Sequence, residues 1–303
     1  MDQQALLLTL QLAAVTTAIL LPLALVLSAW LARSRSWVAR VLEAGVGLPL
    51  VLPPTVLGFY LLVLLGPATT PGRLLVRIVG HPLAFTFWGL VIGSVLYSLP
   101  FAVQPVLAGF RSVDTAQIES ADLLGASRWR VLMRVLLPGA RASVLAAAVL
   151  CFAHTVGEFG VVLMLGGSIP GVTRTLSIAL YDQVMDGNYA AANHMALALV
   201  AISLAALLVV YSVARPGARA SVLAAAVLCF AHTVGEFGVV LMLGGSIPGV
   251  TRTLSIALYD QVMDGNYAAA NHMALALVAI ALAALLVVYS VARPGARGET
   301  GGA

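Results

Sequence analysis

Ionisable residues inside long apolar runs are where chemistry is first to be sought in this chain. Glu158 lies in the run from Ala142 to Leu165, with His154 one helical turn before it on the same face. It follows Arg141 by 17 residues, roughly 25 Å of helix at about 1.5 Å per residue, which places it toward the far side of a bilayer. As a metal site the pair is incomplete: no second ligand cluster stands near His154, and Cys151 and Cys229 are two copies of one position. As an enzyme centre it is equally bare. There is no His-Glu-x-x-His pattern and no pair of aspartates in the apolar runs, and Ser168 follows Gly166-Gly167 with no histidine placed to activate it. The expected role of Glu158 is a structural or gating contact, with His154 or a backbone amide as partner, and Gly157 and Gly160 are expected to permit close helix approach. Pro53, Pro54 and Thr55 form a second concentration, because prolines break backbone hydrogen bonds and are tolerated in lipid only where neighbours or a cavity satisfy the freed groups. Thr55 is therefore a pathway candidate. Nucleotide hydrolysis is excluded: the chain contains no lysine, so it has no glycine-rich phosphate loop ending in Gly-Lys-Ser or Gly-Lys-Thr.

Such residues must be held by membrane-spanning helices. Hydrophobic residues make up 61% of the 303 and charged ones 9%, and the mean hydropathy is +1.03, values that no soluble domain of this size could carry on its surface. The net charge of +4 comes from arginines lying between apolar stretches rather than in a stripe, which argues against a nucleic-acid surface. Runs of the roughly 20 apolar residues that a spanning helix needs occur at Ala5 to Ala32, Ala44 to Leu65, Leu83 to Leu107, Ala142 to Leu165 and Ala190 to Ala214. The first lacks the positive flank of a cleavable signal peptide and is too long for one, so a retained span is expected. With the amino terminus outside, the inner segments hold Arg33, Arg35, Arg40, Arg111, Arg128, Arg130, Arg134, Arg141, Arg215, Arg219, Arg293 and Arg297. The outer segments hold only Arg73, Arg77, Arg174 and Arg252. That bias predicts an outer amino terminus and a cytoplasmic carboxyl terminus.

Residues 142–219 recur at 220–297 with one difference, Ser203 against Ala281. Both copies are bounded by the string Pro-Gly-Ala-Arg, as unequal crossing-over or a misassembled gene would leave it. Solenoid units diverge and are several, so a repeat architecture is excluded. The copy adds two apolar runs, Ala220 to Leu243 and Ala268 to Ala292, and leaves the carboxyl terminus on the inner side. Connectivity predicts that 142–214 completes the core, since the second copy could do so only by looping out two spans. Residues 220–292 are then expected at the periphery, with Glu236 poorly partnered.

The inner segment from Arg111 to Arg141 reads as two short helices: Asp114 caps one, with Gln117 three residues on, Gly125 stops it, and Ser127 caps a second that runs toward Leu137 and Pro138. Its apolar residues, Ile118, Ala121, Leu123, Leu124, Trp129, Val131 and Leu132, are too many to leave in water. The run Glu119-Ser120-Ala121, then Gly125, nine further residues, and Val135-Leu136-Leu137-Pro138 resembles the EAA signature of ABC importer permeases. Leu48 to Gly58, Gly125 to Val131, Gly157-Glu158-Phe159-Gly160 and Ile169 to Thr175 are similar to the molybdate permeases of that superfamily. Tungstate, sulfate and thiosulfate remain as alternatives.

The resemblance covers residues 5–219 and implies an all-α polytopic bundle of five core spans plus a duplicated two-span hairpin. Residues 1–219 would be the permease domain with a coupling loop at 111–138, residues 220–297 the copy, and 298–303 a disordered tail. It further implies a homodimer in the inner membrane, two cytoplasmic ATPase subunits and an extracytoplasmic molybdate-binding protein. This chain would bind no cofactor, ATP and magnesium being used by the partner ATPase. Glu119, Ala121, Gly125, Leu137 and Pro138 are the implied ATPase-coupling residues. The pathway or gate candidates are Pro53, Pro54, Thr55, His154, Gly157, Glu158, Ser168, Thr173, Arg174 and Thr175. Hydroxyls and one cation suit an oxyanion in passage, whereas Glu158 would repel a dianion. An intramembrane enzyme and a purely structural membrane protein are the alternatives from other classes. The first lacks a catalytic constellation and the second leaves the EAA spacing unexplained.

Overall fold

The computed structural model describes residues 2–67, 69–213 and 236–291. The expected tail and most of the run Ala220 to Leu243 lie outside these residues. Helix α1 (Gln3–Arg33) is the first span, capped by Asp2, whose carboxylate accepts from the Ala5 amide. The expected second span, Ala44 to Leu65, is not one helix. It is α2 (Trp37–Gly47), a tight turn at Leu48–Leu50, and α3 (Pro54–Leu65), with a bend of 108°. The cause is Pro53-Pro54: Pro53, preceding a proline, is held extended at ψ 136°, and neither residue offers an amide hydrogen.

After α4 (Thr70–Val79), helix α5 (Phe87–Arg111) carries Pro100 and Pro105 within its length. The segment between Arg111 and Arg141 forms α6 (Thr115–Leu123), α7 (Arg128–Val131), a wider turn at Leu132–Leu136 and α8 (Leu137–Gly139). The residues from Arg128 to Gly139 then turn by 83° into α9 (Arg141–Gly157). The expected fourth span is also interrupted. Glu158 is extended at ψ 133° and Phe159 lies at φ −130°, so α9 stops and α10 (Gly160–Gly166) starts anew. Helices α11 (Leu176–Met185) and α12 (Tyr189–Val213) finish the first copy. Of the second copy, α13 (Gly238–Gly244), α14 (Leu254–Met263) and α15 (Tyr267–Val291) are described.

Helices α1, α5 and α9 pack on one another through small residues such as Ala24, Ala102 and Ala147, the means by which helices in lipid reach close contact. At Gly109 an added Cβ would come 2.5 Å from Cβ of Ser143. Helix α10 packs between α3 and α5, and a Cβ at Gly58 would lie 2.6 Å from Cβ of Met164. The first copy therefore supplies the helix that closes the bundle, as chain connectivity favours.

The second copy departs from expectation. Rather than lying apart, it is seated on α3: Leu258, Val262, Ala270, Ala274 and Leu277 are buried with Val56, Phe59 and Leu62. Nor is Glu236 poorly partnered, because its Oε1 accepts from the amides of Phe237 and Val239 at the head of α13.

Candidate translocation site

A cavity of about 510 Å³ opens where α3, α5, α9 and α13 meet. Its lining includes Val51, Pro54, Tyr97, His154, Gly157, Glu158 and Ser177, with Glu236 and Val239 from the second copy. Of the residues singled out in the sequence, it therefore unites Pro54, His154, Gly157 and Glu158. Pro53 and Thr55 are buried beside it, and Thr55 Oγ1 has no hydrogen-bond partner among the described residues.

Glu158 is only 4% exposed, and its carboxylate accepts from Ser94 Oγ at 2.7 Å. The expected partner, His154 or a backbone amide, is thus replaced by a hydroxyl on α5, while Oε1 has no hydrogen-bond partner among the described residues. His154 instead meets Ser98 Oγ at 2.9 Å through Nδ1 and stacks on Phe101 with ring centres 4.0 Å apart. Ser98 also meets Thr155 Oγ1 at 3.0 Å, and Thr155 donates to the Cys151 carbonyl. The α5 contributors were missed. Their signal was available: Ser94 with Ser98, and Tyr97 with Phe101, are pairs four residues apart and so share helix faces.

Backbone breaks supply the geometry. The interruption at Glu158-Phe159 turns the carboxylate toward α5, and Gly160 lets Pro54 approach, since a Cβ there would lie 2.8 Å from Pro54 Cβ. Gly157 has the opposite character from that expected, being exposed with nothing within 4 Å of an added Cβ. A carboxylate with fixed hydroxyls makes this cavity a poor seat for a dianion. None of the described residues lining it is an arginine that could offset such a charge.

The remaining candidates form a separate locked loop. Thr173 Oγ1 donates to the Gly166 carbonyl at 2.7 Å and accepts from the Ile169 amide, so its hydroxyl holds the turn. Ser168 donates to Asp182 at 2.7 Å. Arg174 Nε lies 3.0 Å from Asp182 Oδ2 without hydrogen-bond alignment, and its NH1 is 3.7 Å from Asp2. Two carboxylates thus offset the cation expected to meet an anion. Thr175 is buried at the head of α11, and its Oγ1 has no hydrogen-bond partner among the described residues.

Between α5 and α9 the caps occur where the sequence places them: Asp114 accepts from the Ala116 amide, Ser127 from the Arg130 amide, and Gly125 takes φ 72°. The bent element has two faces. Ile118, Ala121, Val131 and Leu132 pack on the bundle, while Leu123 and Leu124 stand 89% and 85% exposed and Trp129 is exposed as well. Glu119, Gly125 and Pro138 are exposed, and Leu137 is half-buried. Arg33 at the end of α1 holds the element through Asp122 at 2.7 Å, and Arg111 grips Glu43 with two bonds of 2.7 and 2.8 Å.

Comparison with known proteins gives consistent matches. Residues 24–215 match the family described as the binding-protein-dependent transport system inner membrane component, a stretch ending before the second copy. The molybdenum transport system permease protein ModB of Azotobacter vinelandii is 47% identical over 214 residues, covering 71% of this chain and 95% of that protein. ModB of Escherichia coli K12 is 32% identical, covering 71% and 94%. Among solved structures, a bacterial ABC transporter involved in import of the acidic polysaccharide alginate matches with a TM-score of 0.55 at 20% identity, covering 69% of this chain and 76% of that one.

Proposed function

The chain belongs to the binding-protein-dependent transport system inner membrane component family, and from that premise we propose that it is the permease subunit of an ABC importer moving molybdate across the cytoplasmic membrane. The observation that carries the substrate is the match to molybdenum permeases along nearly their whole length, at 47% and 32% identity. The chain is a transport subunit rather than an enzyme, and ATP with magnesium is used by a separate ATPase; this chain binds no cofactor of its own.

The working assembly in this reading is a homodimer with two cytoplasmic ATPase subunits and an extracytoplasmic molybdate-binding protein. The exposed Leu123, Leu124 and Trp129, beside Glu119 and Gly125 on an element braced by Arg33, support that element as the ATPase contact. The arginine asymmetry supports an outer amino terminus and a cytoplasmic carboxyl terminus. The cavity at Glu158 and His154, floored by Pro54, is then the gate of the pathway, and the braced loop of Ser168, Thr173 and Arg174 is its outer rim.

The test is ATP hydrolysis by the reconstituted complex with its binding protein, using molybdate, tungstate, sulfate or thiosulfate. Stimulation greatest with molybdate is expected. Equal stimulation by sulfate would overturn the substrate assignment, and hydrolysis by the permease alone would overturn the division of labour.

A further inference from the structure

A further cavity, of about 540 Å³, opens between the end of α1 and the segment from Arg128 to Leu136, and it shares no lining residue with the one at Glu158. One wall is a single face of α1. Val26, Ala29, Trp30 and Arg33 follow the spacing i, i+3, i+4 and i+7, so they stand in line over roughly 10 Å of helix. The other wall begins with Arg128 and Trp129 in α7 and continues with Leu132 and Leu136, four residues apart in the wider turn. Each wall carries the same order of chemistry: a cation, a tryptophan, then aliphatic side chains. The 2.7 Å bond from Arg33 to Asp122 fastens the cationic end of α1 to the chain six residues before Arg128, so the two cations share one end of the groove.

The charges at that end are available. Among the described residues no carboxylate lines the cavity and Arg128 has no ion pair. Arg33 spends one nitrogen on Asp122, leaving its other donors without a partner among the described residues. The apolar half is equally uncovered: Val26 is 57%, Trp30 39% and Trp129 61% exposed.

We propose that this groove binds one anionic phospholipid of the phosphatidylglycerol type. Its phosphate sits between Arg33 and Arg128, which offer the forked donors that phosphate oxygens accept. Its glycerol lies against Trp30 and Trp129, the residue type that collects at the edge of a bilayer. An acyl chain then follows Val26, Ala29, Leu132 and Leu136. A free anion would use the arginines and leave the aliphatic half in water, whereas a phospholipid covers both. Basic pockets between spanning helices are where such headgroups are held. Glu119, Leu123 and Leu124 do not border the groove, so lipid and ATPase take different faces of one element, with Trp129 at their edge. The phosphate bridges α1 and α7, a second tie beside that of Arg33 with Asp122. For the leaflet alone the inference rests on the orientation read from the arginines, which makes it the cytoplasmic one.

The experiment uses the full chain in neutral detergent with Trp37→Phe and Trp88→Phe, which leaves Trp30 and Trp129 as the fluorophores. Phosphatidylglycerol or phosphatidylcholine with brominated chains is titrated in, and quenching reports a lipid in the groove. At about fivefold in affinity for each arginine beside an anionic headgroup, phosphatidylglycerol should be preferred by on the order of 25-fold. Arg128→Gln, which breaks no ion pair, should lower that preference about fivefold, and Arg128→Lys should keep it within about twofold. Arg33→Gln with Arg128→Gln should remove it. Equal quenching by the two lipids, or a preference unchanged in Arg128→Gln, would overturn the proposal. Reversal by glycerol 3-phosphate would show a site for soluble anions, and reversal by added ATPase would give the groove to that subunit; either overturns it as well. Binding in detergent is independent of transport and of orientation, so failed uptake leaves the site standing. Labelling of Gln117→Cys by an impermeant thiol reagent in sealed vesicles, with Cys151→Ala and Cys229→Ala, reads the leaflet. Labelling from the cytoplasmic side is expected, and labelling only from outside would overturn the leaflet and the orientation together.

Discussion

Replacing Ser94 by alanine tests the reading of Glu158 as a held contact. The hydroxyl donates to Glu158 Oε2 at 2.7 Å, and the carboxylate is 4% exposed with its other oxygen unpartnered among the described residues. Interhelical side-chain bonds in membranes average about 0.6 kcal/mol and reach about 1.7. Leaving a buried acceptor unsatisfied costs about 1 to 3 kcal/mol. The two ranges meet near 1.5 kcal/mol, and at roughly 2 to 4 °C per kcal/mol for a chain of this size the melting temperature should fall by about 3 to 6 °C. Thermal unfolding of the purified permease in detergent measures this, and a double-mutant cycle with Glu158→Gln isolates the pair. If Ser94→Ala shifts the midpoint by less than about 1 °C, or shifts it equally when Glu158 is already glutamine, the carboxylate is not held by this hydroxyl.

Three other perturbations read different parts of the structure. Glu119→Lys should abolish co-purification of the ATPase while membrane insertion stays normal, since the side chain is exposed on the inner element; co-purification at full yield would refute the docking assignment. Gly58→Ala should destabilise by about 1 to 3 kcal/mol, because its Cβ would sit 2.6 Å from Met164 Cβ, whereas Gly45→Ala, with nothing within 4 Å, should be neutral or stabilising by up to about 1 kcal/mol; comparing the two melting temperatures decides it. Arg174→Ala should lower uptake more than Arg252→Ala, because Arg174 ties the rim of the first copy to Asp2 as well as Asp182, while Arg252 pairs with Asp260; equal uptake by the two variants would contradict this.

Local chemistry was readable from the sequence, and tertiary choice was not. Asp114, Ser127 and Gly125 act within a few residues of themselves, so the caps and stop of the inner element follow from type and spacing alone. Hydropathy located the apolar runs but is blind to backbone direction. It merged α2 with α3 and α9 with α10, although the prolines at 53 and 54 warned of the first break. The break at Glu158-Phe159 carries no proline. Its cause is tertiary: Ser94 draws the carboxylate from α5, and Gly160 admits Pro54. Arg174 looked like a free cation because its partners, Asp2 and Asp182, lie far along the chain and in the next helix. Near-identical sequences cannot say which copy takes which face. Chain connectivity sets the first copy in the core, and the uncovered α3 sets the place of the second.

The central claim, that this chain is the molybdate-conducting subunit of an ATP-driven importer, is tested most directly by uptake of radiolabelled molybdate into proteoliposomes. These contain the permease and its ATPase, with ATP inside and the binding protein outside. The account predicts accumulation that needs every component and that exceeds sulfate uptake at equal concentration. Assembly of the full complex with no molybdate accumulation, or with faster accumulation of sulfate, would contradict it.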